Sequence, residues 1–181
     1  MRGALPIPGP VKPLVPLVSW MTARYISYHR RRLVEGSSVL SSDAQARLQD
    51  FFPRPLLTET RIIQAVMPEP ILYPLVKVLG IKGLLPMSSI GAITLVDVVA
   101  YAERMDGDLL FHELVHVVQY HVLGLKRFAE LYVKGFLAGG GYAGIPLERQ
   151  AYELGARFEQ HPGKAFSVEE DVIRRHAAGL L

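Results

Sequence analysis

The spacing of apolar and polar positions changes character along the chain. The first 17 residues carry prolines at positions 6, 8, 10, 13 and 16 and keep no period. They predict a flexible, extended Pro-rich arm (1–17) ahead of a single domain (18–181). From Trp20 to Glu35 the pattern is helical, until Gly36-Ser37-Ser38 breaks it. Ser42 is placed to cap a second helix, Asp43 to Phe52, which Pro53 and Pro55 end. Thr58 to Val66 is rich in β-branched residues and reads as a strand closed by Pro68 and Pro70. Ile71 to Leu79 is a short apolar run that suits a helix or a buried strand. Ala92 to Tyr101 is the strongest strand pattern in the chain.

Beyond it the period becomes helical. Asp108 is a natural N-cap for a helix from Leu109 to Leu123, which stops near Gly124. A second stretch covers Leu125 to Leu137 and meets Gly139-Gly140-Gly141. Pro146 suits the first position of a helix reaching Gln160, Pro162-Gly163 ends it, and a short helix starts at Val168. A mixed first half and a helical second half predict an α+β fold, a small mixed or antiparallel sheet followed by helices.

The helix after Asp108 is the most informative. At about 100° per residue, His112, Glu113, His116, Gln119 and Tyr120 share one arc of roughly 120°. Leu110, Phe111, Leu114, Val115, Val117, Val118 and Val122 lie opposite, with His121 the one polar residue among them. The polar arc contains no Lys, Arg or Asp, whereas an ordinary solvated face mixes charges of both signs. Such a face is built around a ligand or an ion. His121, on the apolar side, is expected in the core or at its edge; His29, His161 and His176 are expected in solvent.

Composition narrows the chemistry. With 181 residues, 50% hydrophobic and 20% charged, the chain suits one globular domain and not a disordered one. It has no cysteine and six histidines, so disulfides and thiolate metal sites are excluded and any metal must be held by His, Asp or Glu. A net charge of +3 is mildly basic and demands no acidic partner. The longest run without a charged residue, 83–96, is 14 residues, against about 18 for a membrane span, so no transmembrane segment is expected. The apolar run Pro13 to Ala23 is interrupted by proline and followed by no small-residue cleavage site, which argues against a signal peptide. The lack of cysteine favours a cytoplasmic location and leaves a secreted or membrane-peripheral one open. The basic run His29-Arg30-Arg31-Arg32 reads as a solvated helix end, and no nucleic-acid motif accompanies it.

His112-Glu113-Leu114-Val115-His116 is an H-E-x-x-H motif. Histidines at i and i+4 stand one above the other on a helix, so both imidazoles reach one ion, and the Glu beside the first is placed as general base toward a metal-activated water. A catalytic zinc site has three protein ligands and a water. The metzincin continuation fails, because Gln119 and Val122 stand where a glycine and a histidine are required. A carboxylate on the helix from Pro146 is the alternative. There Glu148 lies near the edge of the apolar face formed by Leu147, Ala151, Leu154 and Phe158, whereas Glu153 lies further out, flanked by Arg149 and Arg157 at i−4 and i+4. The wheel favours Glu148 and keeps Glu153 as fallback.

The segment His112-Glu113-Leu114-Val115-His116-Val117-Val118-Gln119 resembles the H-E-L-x-H-V-V-Q segment of bacterial zincin-like metallopeptidase domains, one group of which is associated with contractile injection systems. Pro146-Leu147-Glu148-Arg149-Gln150-Ala151 is similar to the E-x-x-A element of gluzincins and minigluzincins, whose Glu is the third zinc ligand. The resemblance implies a zincin-like fold, Zn2+ held by His112, His116 and Glu148, Glu113 as general base, and a peptide or protein substrate. It implies that a strand at Ala92 to Asp97 pairs with that substrate, and that a tyrosine, Tyr120 or Tyr142, helps stabilise the oxyanion. One departure is Tyr152, where many gluzincins carry an Asp that orients a zinc-bound histidine; Asp97, Asp106 or a backbone carbonyl would have to replace it. The competing reading is a catalytically silent metal-binding domain with a structural or interaction role. A structural site needs no general base, and Glu113 is present.

Overall fold

The computed structural model describes residues 9–68, 90–139, 141–161 and 163–181. Helices α1 (Val15–Leu33), α2 (Ser42–Leu48) and α3 (Arg54–Glu59) accompany the short strands β1 (Ser38–Val39) and β2 (Arg61–Gln64). Strands β3 (Ala92–Leu95) and β4 (Val98–Tyr101) then lead into the long helix α4 (Gly107–Gly139), followed by α5 (Pro146–Gln160) and α6 (Val168–Ala177). The fold is α+β, as the pattern predicts.

The first half departs from the sequence reading in detail. The arm is not extended where it is described: Gly9–Leu14 forms a 3-10 helix and α1 starts at Val15, with Pro16 in its first turn. Proline's fixed φ and missing N–H cost nothing there. Ser41, not Ser42, caps α2 by accepting the Ala44 amide. Pro55 starts α3 for the same first-turn reason, so part of the predicted Thr58 to Val66 strand is helix and β2 keeps only four residues. The run Ile71 to Leu79 lies outside the described residues.

The sheet has strand order β1-β2-β4-β3, with β2 and β4 parallel and the other pairs antiparallel. The predicted strand Ala92 to Tyr101 is in fact a hairpin, Ala92 opposite Tyr101 and Leu95 opposite Val98. Its two-residue turn, Val96-Asp97, carries none of the glycine or asparagine that signals such a turn. Val96 sits at φ 68, strained for a β-branched residue. Asp97 ties the turn down: its carboxylate takes two bonds from Arg30 of α1, at 2.5 and 2.6 Å, and its carbonyl accepts the Arg61 amide at 2.8 Å.

Helix α4 is two helices joined at Gly124, as the sequence predicts, with φ 73 and ψ 156 there, a conformation open essentially to glycine alone. A straight helix would carry Phe128 about 18 Å along the axis from His116. Instead the ring centroids are 6.2 Å apart, and Phe128 stacks on Tyr120 at 3.8 Å. The second half therefore folds back over the first. Its end packs closely against the loop before α5: a Cβ on Gly139 would meet Gly144 backbone at 2.5 Å, and Gly144 is equally constrained.

The apolar arc of the first half is core. Phe111, Leu114, Val115 and Val118 are completely buried with Phe51 and Phe52, each large side chain contributing about 2 kcal/mol. A second cluster holds Tyr120, Phe128, Ile145 and Leu147 with Leu95 and Val98 of the hairpin. The expectation for His121 is corrected: its side chain is 70% exposed, with Nε2 3.9 Å from Glu169 Oε1. Burial falls away in the last turn before Gly124, so the apolar side of the wheel does not stay covered to its end.

Candidate metal centre

His112 and His116 stand one turn apart on α4, both buried, with their Nε2 atoms 3.1 Å apart. Glu148, in the first turn of α5, places Oε2 3.3 Å from each. Ligand atoms each about 2.0 to 2.1 Å from a tetrahedral ion are about 3.3 Å from one another, so this triangle has the size of one face of such a site. Two imidazoles and a carboxylate are a donor set for zinc and other first-row metals. Among the described residues this is the one His/Asp/Glu group that could hold a metal ion.

The electrostatics follow from burial. Glu148 would be pushed up by desolvation. The His116 charge and hydrogen bonds from His112, His116 and Tyr142 outweigh that, holding its carboxyl well below the ordinary range. Burial alone would lower His116. Glu148 and Glu113, with the bond to Gln119, reverse this and push it up to about 9 in the metal-free site. Glu113 is raised by burial, opposed in part by His116 and Thr94. Its Oε2 accepts a 2.6 Å bond from the Thr94 hydroxyl on β3.

Two tyrosines hold Glu148. Tyr132, on the second half of α4, donates to Oε1 at 2.9 Å, and Tyr142 donates to Oε2 at 2.6 Å. Their own burial, with the Glu148 carboxylate beside them, raises both phenols well above the ordinary range and keeps them protonated. Tyr120, the tyrosine on the metal-facing arc, hydrogen-bonds elsewhere. Its hydroxyl lies 3.4 Å from the Thr94 carbonyl and its ring is packed under Phe128. Glu153 is outside the site. It pairs at 2.7 Å with Arg175 of α6, not with Arg149 or Arg157 as the spacing suggested; Arg157 lies 4.0 Å over the Phe166 ring instead.

The histidine-orienting group is neither Asp97, which holds Arg30, nor Asp106, which caps α4 through the Leu109 amide at 2.9 Å. It is Gln119, whose Oε1 is 2.8 Å from His116 Nδ1. Gln119 Nε2 donates at 3.0 Å to both Leu147 O and Gln150 Oε1, and Gln150 donates at 2.9 Å to Asp171 of α6. Asp171 is held in turn by Arg174 and Arg175. Asp106, not Asp108, therefore caps the motif helix. Tyr152 packs its ring 4.5 Å from that of His112.

A cleft of about 410 Å³ opens on the centre, bordered by Gly91 and Ala92, by His112 and Glu113, and by Tyr142 and Tyr152. Sequence reasoning missed Thr94, Tyr132 and Gln150. Gln119 alone left a signal, its place on the polar arc one turn after His116. Comparison with family models, with curated proteins and with solved structures gives no match.

Proposed function

We propose that the chain is a zinc-dependent metallopeptidase of the zincin type. One observation carries the reading: a buried carboxylate outside the triangle, Glu113, borders the same cleft as His112, one corner of the His112, His116 and Glu148 group. A purely structural metal site has no use for such a group.

His112, His116 and Glu148 would hold the ion. Zinc bound there supplies a Lewis acid that polarises a peptide carbonyl and acidifies a water to near-neutral pKa. The rest falls to the chain. Thr94 fixes Glu113 Oε2, leaving Oε1 to take the proton from the attacking water and return it to the leaving amine. The raised pKa of Glu113 suits a group that must accept a proton and give it up again. Tyr142 borders the cleft but gives its one proton to Glu148 Oε2 at 2.6 Å, so it would donate to a developing oxyanion only by leaving that bond.

The substrate is a peptide laid along β3. Among the described strands β3 is at the sheet edge. Its register makes Ile93–Ala100 and Leu95–Val98 the hydrogen-bonded pairs, so the backbone groups of Ala92 and Thr94 point outward. Tyr120 approaches the Thr94 carbonyl, and Ala92, which lines the cleft, is left for strand addition.

The deciding experiment compares wild type with Glu113→Gln, measuring bound zinc and cleavage of a peptide library. Both proteins should hold about one zinc per chain, and only wild type should cleave. Cleavage that survives the substitution overturns the role of Glu113. Zinc-loaded wild type that cleaves nothing favours the silent metal-binding domain.

A further inference from the structure

Helix α1 has two faces that differ in more than burial. Val15, Ser19 and Ile26 are buried, and the helix packs on α4. On the opposite side Leu17, Trp20, Arg24, Tyr28 and Arg31 fall within an arc of about 80°, a strip about 21 Å long from Leu17 to Arg31. All five are exposed: Trp20 is 61% accessible, Leu17 55% and Tyr28 49%. Neither Leu17 nor Trp20 belongs to a core cluster of the described residues.

The charge on this helix has one sign. α1 contains four arginines and no Asp or Glu. Arg30 is spent on Asp97, but Arg24, Arg31 and Arg32 pair with no carboxylate among the described residues. Arg24 and Arg32 instead lie over aromatic rings of the same surface, 5.8 Å from Trp20 and 5.6 Å from Tyr28. The strip therefore alternates apolar and aromatic bodies with cations held against them. A globular partner would meet three cations with no balancing acid on this side. A nucleic acid would use the arginines and leave Leu17 idle. A bilayer surface with anionic headgroups uses every part: Leu17 enters the acyl boundary, Trp20 and Tyr28 sit at headgroup depth, and the guanidiniums meet the phosphates.

We propose that the outer face of α1 is a docking surface for an anionic lipid bilayer, along which the helix lies in the plane of the interface. No helix among the described residues is long and apolar enough to cross a membrane, so the contact is peripheral. The reading is independent of the metal centre.

Trp20 is the only tryptophan in the chain, so its fluorescence reports this face alone. The full chain is titrated with large unilamellar vesicles of phosphatidylcholine and phosphatidylglycerol at 7:3, and with pure phosphatidylcholine. A blue shift is expected with the anionic vesicles only, together with quenching by lipids brominated along the acyl chain and reversal in 0.5 M salt. Arg24→Glu with Arg31→Glu should lower partitioning by about 100-fold or more, with zinc content and circular dichroism unchanged. No shift on anionic vesicles, or an equal shift on neutral ones, overturns the proposal. So does a shift on single-stranded RNA larger than that on anionic vesicles. If the double variant fails to fold, the lipid selectivity and salt reversal of wild type still decide.

Discussion

Gln119→Leu tests how the two ligand helices are joined. Gln119 is completely buried and each end of its amide is engaged, Oε1 with His116 Nδ1 and Nε2 with Leu147 O and Gln150 Oε1. Leucine has nearly the same volume, so no large cavity opens and the effect is polar. Two consequences separate. His116 loses the group that fixes its ring and tautomer, which should weaken zinc binding about 10- to 100-fold. Gln150 Oε1 loses its donor inside the core, which should cost about 1 to 3 kcal/mol of stability with or without metal. Leu147 O is spared, because a helical carbonyl keeps its own i+4 amide. Gln119→Glu divides the two effects. Its carboxylate still accepts from His116 but offers nothing to Gln150, so zinc affinity should stay within about threefold of wild type while stability falls. The assay is a zinc competition titration against a chromophoric chelator, paired with urea unfolding in excess EDTA. If Gln119→Leu binds zinc as tightly as wild type, Gln119 does not orient His116.

Four further outcomes are expected. In the metal-free protein His116 carries its proton up to about 9, against an ordinary 6.5. Below that value zinc must displace the proton, so the apparent Kd should fall about tenfold per pH unit between pH 6.5 and 8.5, and a Kd indifferent to pH refutes the assignment. The same raised pKa stabilises the metal-free fold fully below 6.5, and that contribution is lost as pH rises through about 9, which urea titrations across this window detect. Gly124→Ala has open space for its Cβ, so its cost of about 1 to 3 kcal/mol is backbone strain alone. It should also weaken zinc binding, because the reversal there delivers Tyr132 to Glu148; unchanged stability would place the strain elsewhere. Glu148→Ala should abolish tight zinc binding, whereas Glu153→Ala, which loses an exposed pair with Arg175, should leave it intact and cost less than about 1 kcal/mol. The reverse result transfers the ligand role to Glu153.

What was legible in the sequence is what lies within one helical turn. The pairing of His112 with His116 and the presence of Glu113 beside them follow from helix spacing, whereas the preference for Glu148 over Glu153 needs the likeness to the E-x-x-A element as well as the wheel. The break at Gly124 was legible too, but not its consequence. A glycine signals that the helix can change direction, and only packing says that it reverses, so Tyr132 carried no sign that it would meet a residue 16 positions away. The hairpin was hidden for a different reason. Val96 violates the turn chemistry that would have announced it, and the Arg30 and Arg61 contacts to Asp97 that hold the turn come from remote elements. His121 was misread because a wheel assumes uniform cover along the helix, and the cover here thins toward Gly124.

The two tyrosines on Glu148 bear on what the centre is before any metal arrives. A carboxylate this deeply buried ordinarily takes up a proton, which would spoil it as a ligand. Here Tyr132 and Tyr142 each donate to a different oxygen, and the two imidazoles face Oε2, so the group stays ionised. The division of labour between the oxygens is also informative. Oε1 is held by Tyr132, whereas Oε2 accepts from Tyr142 and is also the atom equidistant from both Nε2 atoms. The carboxylate would therefore face an ion through Oε2, with its orientation settled by neutral donors, one of which, Tyr142, shares that oxygen. Those donors come from the far half of α4 and from the glycine-lined loop ahead of α5. The reversal at Gly124 and the close approach of Gly139 to Gly144 are thus conditions for the third ligand as much as for the fold. Two hydroxyls on Glu148, and a buried threonine on a second carboxylate outside the triangle, agree better with the proposed proton transfer beside an ion than with an ion held alone.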